Sequence, residues 1–118
     1  MQLKSAEFDT LVQAQMARLP APFAVWLERV PVIIEEYPNP ADVGDDDEVL
    51  GLFMGTALDD PEGSDLAQPP AIYLYRQPLL DSCADRAELE AEIFITLCHE
   101  LGHYAGMDED DLKQLGYD

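Results

Sequence analysis

The residues best suited to chemistry lie in the segment HELGHYAGMDED, residues 99 to 110, which contains both histidines of the chain. His99 and His103 are four residues apart, so on a helix their imidazole nitrogens can reach one metal ion from successive turns. Glu100 projects about 100° round the helix from His99, which suits a group beside a metal-bound water. Because a metal lowers the pKa of bound water towards about 7, this carboxylate can take the proton at neutral pH. The segment predicts a Zn²⁺ site with Glu100 as general base.

A third protein ligand is expected, because catalytic zinc usually has three and keeps one position open for water. A turn at Gly106 would let the chain fold back, and Glu109 then falls at the last position of HExxHxxGxxE. Asp108 or another local carboxylate is one alternative, and water or a distant carboxylate is another. Asp108 or Glu109 could also serve only as the N-cap of the following helix or as a charge that interacts favourably with its dipole. We predict that Glu109 is the third ligand.

An ordinary surface helix is the competing interpretation, since HExxH is a short pattern that also occurs by chance. The surrounding sequence argues against it, because one side of this segment is apolar and the opposite side is polar. The apolar side comprises Phe94, Leu97, Cys98, Leu101 and Ala105, and the polar side comprises Glu88, Glu92, His99 and His103. Gly102 is costly inside a helix, by about 1 kcal/mol relative to alanine. Its presence predicts that another group packs close to it.

Short helices and strands precede this segment. A first helix over residues 5 to 19 has Ser5 as a candidate N-cap and an apolar stripe, formed by Phe8, Leu11, Val12, Met16 and Leu19. A short helical turn is predicted over residues 22 to 28. Three strands are predicted, at residues 31 to 37, 49 to 58 and 71 to 77.

Two glycines, Gly51 and Gly55, interrupt the second predicted strand and indicate a bulge or the close approach of another backbone or a ligand. A substrate backbone could pair with this strand, or the glycines could serve packing in an ordinary sheet strand. The segments NPADVGDDDE and DDPEGSDLAQPP are loops by composition. A calcium site in the first loop is conceivable, but its spacing does not match the EF-hand loop.

The C-terminal third is predicted to be helical. A long helix begins at a cap at Asp81 or Ser82, with Ser82 and Asp85 at capping-box spacing, and ends at Gly106. Cys83 and Cys98 would then lie on one helix about 22 Å apart, too far for a disulfide, and would be free thiols of a reducing compartment. A last helix starts at the candidate cap Asp108, with two packing residues, Leu112 and Leu115.

Composition excludes several classes of protein. The 118 residues, 47% hydrophobic, are enough for one domain, residues 1–118, and too few for two. With 25 acidic and 6 basic residues the formal charge is -19, which repels nucleic acid and anionic membrane surfaces. No apolar stretch approaches the roughly 20 residues that cross a bilayer, and the N-terminus lacks a signal-peptide core. We expect a cytoplasmic protein that binds neither nucleic acid nor membrane.

With these residues in place, the sequence resembles the small bacterial minimal zincin-like metallopeptidases. The resemblance extends from a first helix ending in RLP, through PVIIEEYP, LGLFMGTAL and AIYLYRQPL, to HELGHYAGMDEDDL, which is its specific part. It implies an α+β zincin-like fold, in which a small mixed sheet packs with the N-terminal helix and a long HExxH helix. It also implies Zn²⁺ at His99 and His103, with Glu100 as base.

Two functions from different classes follow. The first is a zinc-dependent metallopeptidase, a hydrolase that acts on peptides or extended protein segments through metal-activated water and Glu100. The second is a non-catalytic module with a zincin-like fold, in which zinc is structural or absent and the acidic surface docks a basic protein partner.

Overall fold

The computed structural model of the chain describes residues 1–44, 49–58 and 68–118. The described parts form helices and short strands in the order α1 (Ser5–Met16), α2 (Phe23–Leu27), β1 (Val32–Glu35), α3 (Pro40–Val43), β2 (Gly51–Met54), β3 (Ala71–Tyr75), α4 (Arg76–Ser82), α5 (Arg86–Tyr104) and α6 (Glu109–Leu115). This mixture of helices with one small sheet confirms the predicted α+β class.

The strands form one mixed sheet in the order β1-β3-β2, with β1 parallel and β2 antiparallel to the central β3. Each strand is shorter than predicted. β2 ends at Met54, because the next residue, Gly55, has a φ of 106° that favours glycine and lies against the backbone of Pro69. β3 ends because α4 begins at the next residue, Arg76. Both outer strands therefore offer only short edges.

Helix α5 is the element on which the others pack, since it contacts α1, α2, α4, β2 and β3. Its buried apolar side chains are Leu89, Ile93, Leu97, Cys98, Leu101 and Tyr104. Burying each such leucine or isoleucine contributes about 1.5–3 kcal/mol, so this face fixes the rotation of the helix. The predicted apolar side is confirmed at its centre, while Phe94 and Ala105 at its margins are only partly buried.

Strand β2 lies directly against α5. A Cβ atom added at Gly51 would lie 2.6 Å from Cγ2 of Thr96 and 3.0 Å from the carbonyl oxygen of Tyr73. Glycine at this position thus allows β2 to approach both the helix and its neighbouring strand. Of the two interpretations of these glycines, close packing within the fold explains Gly51 and Gly55.

The predicted start of the long helix is wrong. Residues Arg76–Ser82 form the separate helix α4, and Asp85 caps α5 by accepting a hydrogen bond from the Glu88 N–H at 2.9 Å. Pro78 is tolerated because it occupies the first turn of α4, where a backbone N–H has no partner within the helix. Cys83 therefore ends α4 and does not share a helix with Cys98. Both cysteines are buried free thiols.

Smaller expectations also change at the other helix ends. Lys4, not Ser5, is the N-cap of α1, which ends at Met16, although Leu19 beyond it is buried as predicted. Leu112 of α6 is fully buried, but Leu115 is 51% exposed, so its predicted packing role is wrong.

Parts of the two predicted loops lie outside the described residues, namely 45 to 48 and 59 to 67, and with them the conceivable calcium site. Before the first gap, Pro40–Val43 forms the short helix α3, whose cap Asn39 accepts a hydrogen bond from the Ala41 N–H. In the ranges that the structure covers, no helix is long and apolar enough to cross a membrane.

Candidate metal centre

The C-terminal end of α5 brings the two histidines together. Because they are one helical turn apart, His99 Nε2 and His103 Nε2 lie 3.0 Å from each other. Their side chains are 23% and 29% exposed, so the nitrogens lie at the protein surface beside the buried part of the helix. The predicted polar side of the helix thus carries both imidazoles to one point.

Glu109 reaches the same point because the chain reverses direction after α5. Gly106, with φ of 89°, ends the helix in a turn in which the Met107 N–H donates to the Gly102 carbonyl at 2.9 Å. The reversal places Glu109 Oε1 2.9 Å from His103 Nε2 and 3.4 Å from His99 Nε2. The structure therefore brings together all three residues that the sequence suggested as metal ligands.

Asp108, the rival candidate, has another role. Its carboxylate accepts the N–H of Asp111 at 2.8 Å, while the Asp111 carboxylate accepts the N–H of Asp108 at 3.1 Å. This reciprocal pair is a capping box that starts α6. Asp108 acts as a helix cap, and its neighbour Glu109 points to the histidines.

The spacing of the three atoms suits a tetrahedral zinc ion. Bonds of about 2.0–2.1 Å at tetrahedral angles require neighbouring ligand atoms to lie about 3.3–3.4 Å apart. The observed separations of 2.9, 3.0 and 3.4 Å are close to that value. Two imidazole nitrogens and one carboxylate oxygen are also a usual ligand set of catalytic zinc. The donor set fits the metal that the sequence predicts.

A backbone carbonyl selects the tautomer of His99. Its Nδ1 lies 2.7 Å from the carbonyl oxygen of Tyr117, and since a carbonyl can only accept, Nδ1 carries the hydrogen and donates it. The lone pair of Nε2 consequently faces the carboxylate oxygen of Glu109. Two such acceptor atoms at 3.4 Å repel each other unless a cation or proton lies between them.

Tyr117 is held by aromatic contacts with two helices. Its ring meets Phe23 of α2 and Phe94 of α5 edge to face, with centroids 5.4 and 6.2 Å apart. Outer hydrogen bonds of this kind orient metal-binding histidines and raise their basicity. Sequence reasoning missed Tyr117, because its backbone carbonyl, which any residue would supply, makes the contact.

Glu100 is buried beside the histidines, with only 6% of its surface exposed. Its Oε1 accepts the backbone N–H of Phe53 at 2.8 Å, and its Oε2 lies 3.9 Å from His99 Nε2. One donor atom from each of Glu100, His99 and His103 falls within 4.8 Å of the others. Burial raises the pKa of the Glu100 carboxyl above its ordinary value, against the lowering effects of the Phe53 hydrogen bond and the two histidines. Such a carboxylate can accept a proton readily.

The contact with Phe53 also orients β2 towards the site. The Leu50 carbonyl accepts from the Tyr75 N–H of β3, whereas the N–H of Phe53 points away from β3 to Glu100. Because backbone groups alternate along a strand, Gly51 and Phe53 direct theirs to the outer edge of β2. That edge borders the histidine cluster.

Comparison with known proteins agrees with this architecture. Residues 27–117 match the family model described as zincin-like metallopeptidase. A conserved hypothetical protein from Thermus thermophilus has a similar structure, with a TM-score of 0.59 and 24% identity over 98% of this chain and 100% of that one. Its description states no activity, and it supports the fold alone. No curated protein matches the sequence. Since the family match covers most of the chain, including the histidine cluster, this protein belongs to the zincin-like metallopeptidase family.

Proposed function

We propose that this protein is a zinc-dependent metallopeptidase that hydrolyses peptide bonds in peptides or extended protein segments. One observation carries the proposal: the donor atoms of His99, His103 and Glu109 converge within 3.4 Å beside the buried carboxylate of Glu100. Membership of the zincin-like family supports the same reaction class. Non-catalytic zinc would need the three ligands but would give no reason to bury a carboxylate next to them.

Three side chains would hold the ion, through Nε2 of His99, Nε2 of His103 and Oε1 of Glu109. When bound, zinc at such a site lowers the pKa of a coordinated water and polarises the carbonyl of the scissile bond. The Tyr117 carbonyl contributes by keeping the hydrogen of His99 on Nδ1.

Glu100 moves the proton. The Phe53 N–H occupies Oε1, which leaves Oε2 to take a proton from the attacking water and later give it to the leaving amine. The burial of this carboxyl suits the double role, because the protonated form must persist until the carbon–nitrogen bond breaks. Burial keeps bulk water from removing that proton.

The outer edge of β2 would hold the substrate. The backbone groups of Gly51 and the carbonyl of Phe53 point to this edge, while the Phe53 N–H is held by Glu100. An extended peptide can pair with such groups as an added strand. Pairing there would lay the peptide backbone along the cluster, with its scissile carbonyl near His99, His103 and Glu100. The enzyme would therefore act on unfolded or extended segments.

A comparison of wild type with Glu100→Gln tests the proposal. Both proteins are loaded with zinc and incubated with a peptide library, and new N-termini are identified by mass spectrometry. We expect the substitution to lower the cleavage rate by about 10²–10⁴-fold, the range of a lost general base, at unchanged zinc stoichiometry and circular dichroism.

Glu90→Gln is the matched control, since Glu90 lies on the same helix and pairs with the exposed Arg86. It should cleave like wild type. Cleavage retained by Glu100→Gln would refute the role of Glu100. Full zinc occupancy with no cleavage by wild type would instead support the non-catalytic module.

A further inference from the structure

A cavity of about 230 Å³ opens directly beside the histidine cluster, between α5, the start of β2 and Asp118. His99 and Glu100 are among the residues that line it. It is smaller than the roughly 300–1,000 Å³ of sites that enclose a small molecule, so its size suits one long side chain. A side chain entering it from a peptide on the edge of β2 would lie next to the reacting bond.

The walls of the cavity are apolar and its remaining charged groups are acidic. Val49, Leu50 and Ile95 supply aliphatic surface, while Glu92 and Asp118 supply carboxylates. Among the described residues that line it there is no lysine or arginine. A negatively charged side chain would be repelled there, and a purely aliphatic one would leave both carboxylates without a partner.

The distance along the helix suits a long cation. Glu92 and His99 are seven residues apart on α5, so their Cα atoms are separated by two turns, about 10.5 Å along the helix axis. A lysine carries its ammonium on a flexible four-carbon stem, and arginine is of similar length. From a bond held at His99, either side chain can bring its charge towards Glu92 while its stem contacts Ile95.

We propose that this cavity is a specificity subsite for the side chain of lysine or arginine next to the scissile bond. The inference rests on the proposed peptidase function and narrows its substrate class to basic peptides. The stem packs on the aliphatic walls, and the charged end pairs with Glu92 and Asp118. The formal charge of -19 adds a long-range attraction for cationic substrates.

The first test compares three peptides that differ only at the residue beside the scissile bond, which is lysine, norleucine or glutamate. Norleucine keeps an aliphatic stem without charge. For the zinc-loaded protein we expect kcat/KM for lysine to exceed that for norleucine by about three- to fivefold, near the upper end for partly exposed ion pairs. Glutamate should be the poorest substrate, and arginine should resemble lysine.

Substitution of the carboxylates of Glu92 and Asp118 tests whether these two groups cause the preference for lysine. In Glu92→Gln/Asp118→Asn the ratio of kcat/KM for lysine to kcat/KM for norleucine should fall to about one. Glu28→Gln/Asp81→Asn removes two exposed carboxylates elsewhere and should keep the wild-type ratio. Glu100-dependent cleavage with no preference for lysine, or with a preference that the double variant retains, would overturn the subsite but leave the peptidase standing.

A binding measurement applies even if no peptide is cleaved. Nα-acetyl-lysine-N-methylamide and its norleucine analogue are titrated into the zinc-loaded protein, and amide chemical shifts of Gly51 and Thr96 are followed. The lysine probe should bind at least threefold more tightly, and this advantage should disappear in Glu92→Gln/Asp118→Asn. Equal binding of the two probes, or binding of neither, would refute the subsite.

Discussion

The two halves of the candidate site are held in place by different interactions. The helix half, His99, Glu100 and His103, belongs to α5, so helical periodicity sets the 3.0 Å between the imidazoles. The tail half, Glu109 and Tyr117, follows the end of α5 and reaches the site only through the turn at Gly106 and the packing of α6. The first half is therefore a local property of one segment, and the second is a property of the whole fold.

This difference shows how a small chain can assemble a candidate metal site. Leu112 of α6 is fully buried and lies against Gly102 on α5. The absence of a side chain at Gly102 lets α6 approach the helix that carries the histidines, which explains why glycine occupies a helix interior at a cost of about 1 kcal/mol. Contacts between α5 and α6 thus bring the carboxylate of Glu109 to the two nitrogens.

The largest effect should come from removing the carboxylate of the tail half. We expect Glu109→Ala to weaken zinc binding by more than about 100-fold, above the range for lost outer hydrogen-bond partners, because one of the three proposed protein ligands disappears. Competition with a chelator of known affinity measures the change. Asp108→Ala is the control, since it costs the cap of α6, worth about 1 kcal/mol, but no proposed ligand. Equal zinc affinities in the two variants would remove Glu109 from the site.

A smaller effect is expected at the other member of the tail half. In Tyr117→Ala the carbonyl remains but its aromatic anchors on Phe23 and Phe94 are lost. The hydrogen bond to His99 Nδ1 should loosen, and zinc affinity should fall by about 10–100-fold. Tyr117→Phe keeps both ring contacts and should bind zinc like wild type.

Nitrogen-15 spectra of the imidazoles show whether Tyr117→Ala weakens zinc binding by releasing His99 or only by destabilising the fold. In the metal-free wild type and in Tyr117→Phe, His99 should carry its hydrogen on Nδ1. In Tyr117→Ala a mixture of tautomers should appear. A single Nδ1–H tautomer together with weakened zinc binding would show that Tyr117 does not act through His99.

The same division explains what could be predicted from the sequence. The histidine pair, the turn at Gly106 and the cap at Asp108 are encoded within a few residues, so periodicity and capping rules suffice to locate them. The buried carboxylate of Glu100 accepts a hydrogen bond from Phe53, which is 47 residues away. No pattern in the sequence around either residue predicts that contact.

The start of α5 escapes sequence-based prediction for a different physical reason. Asp81, Ser82 and Asp85 are all residue types that cap helices, so local sequence leaves several starting points. The choice of Asp85 accompanies the burial of Leu79 and Leu80 on a separate α4. Tertiary packing therefore determines where α5 begins, as it determines the contact of Glu100 with Phe53.

The smallest effect, about 1 kcal/mol in the free energy of unfolding, is expected at Gly102, where α6 packs on α5. Alanine at Gly102 would gain about 1 kcal/mol of helix propensity, but its Cβ would collide with the buried side chain of Leu112. Overpacking costs about 1–3 kcal/mol, so we expect a net loss of about 1 kcal/mol in the free energy of unfolding and a few-fold weaker zinc binding. Denaturant titration measures the first quantity and chelator competition the second.

A double-mutant cycle with Leu112→Ala assigns the cause of that loss. Leu112→Ala alone should cost about 2–5 kcal/mol, because it empties a fully buried site. If the two side chains collide, Gly102→Ala should become neutral or stabilising once Leu112 is truncated, which gives a coupling of about 1–2 kcal/mol. A Gly102→Ala protein that is more stable than wild type, with unchanged zinc affinity, would show that the close approach of α6 does not depend on this glycine.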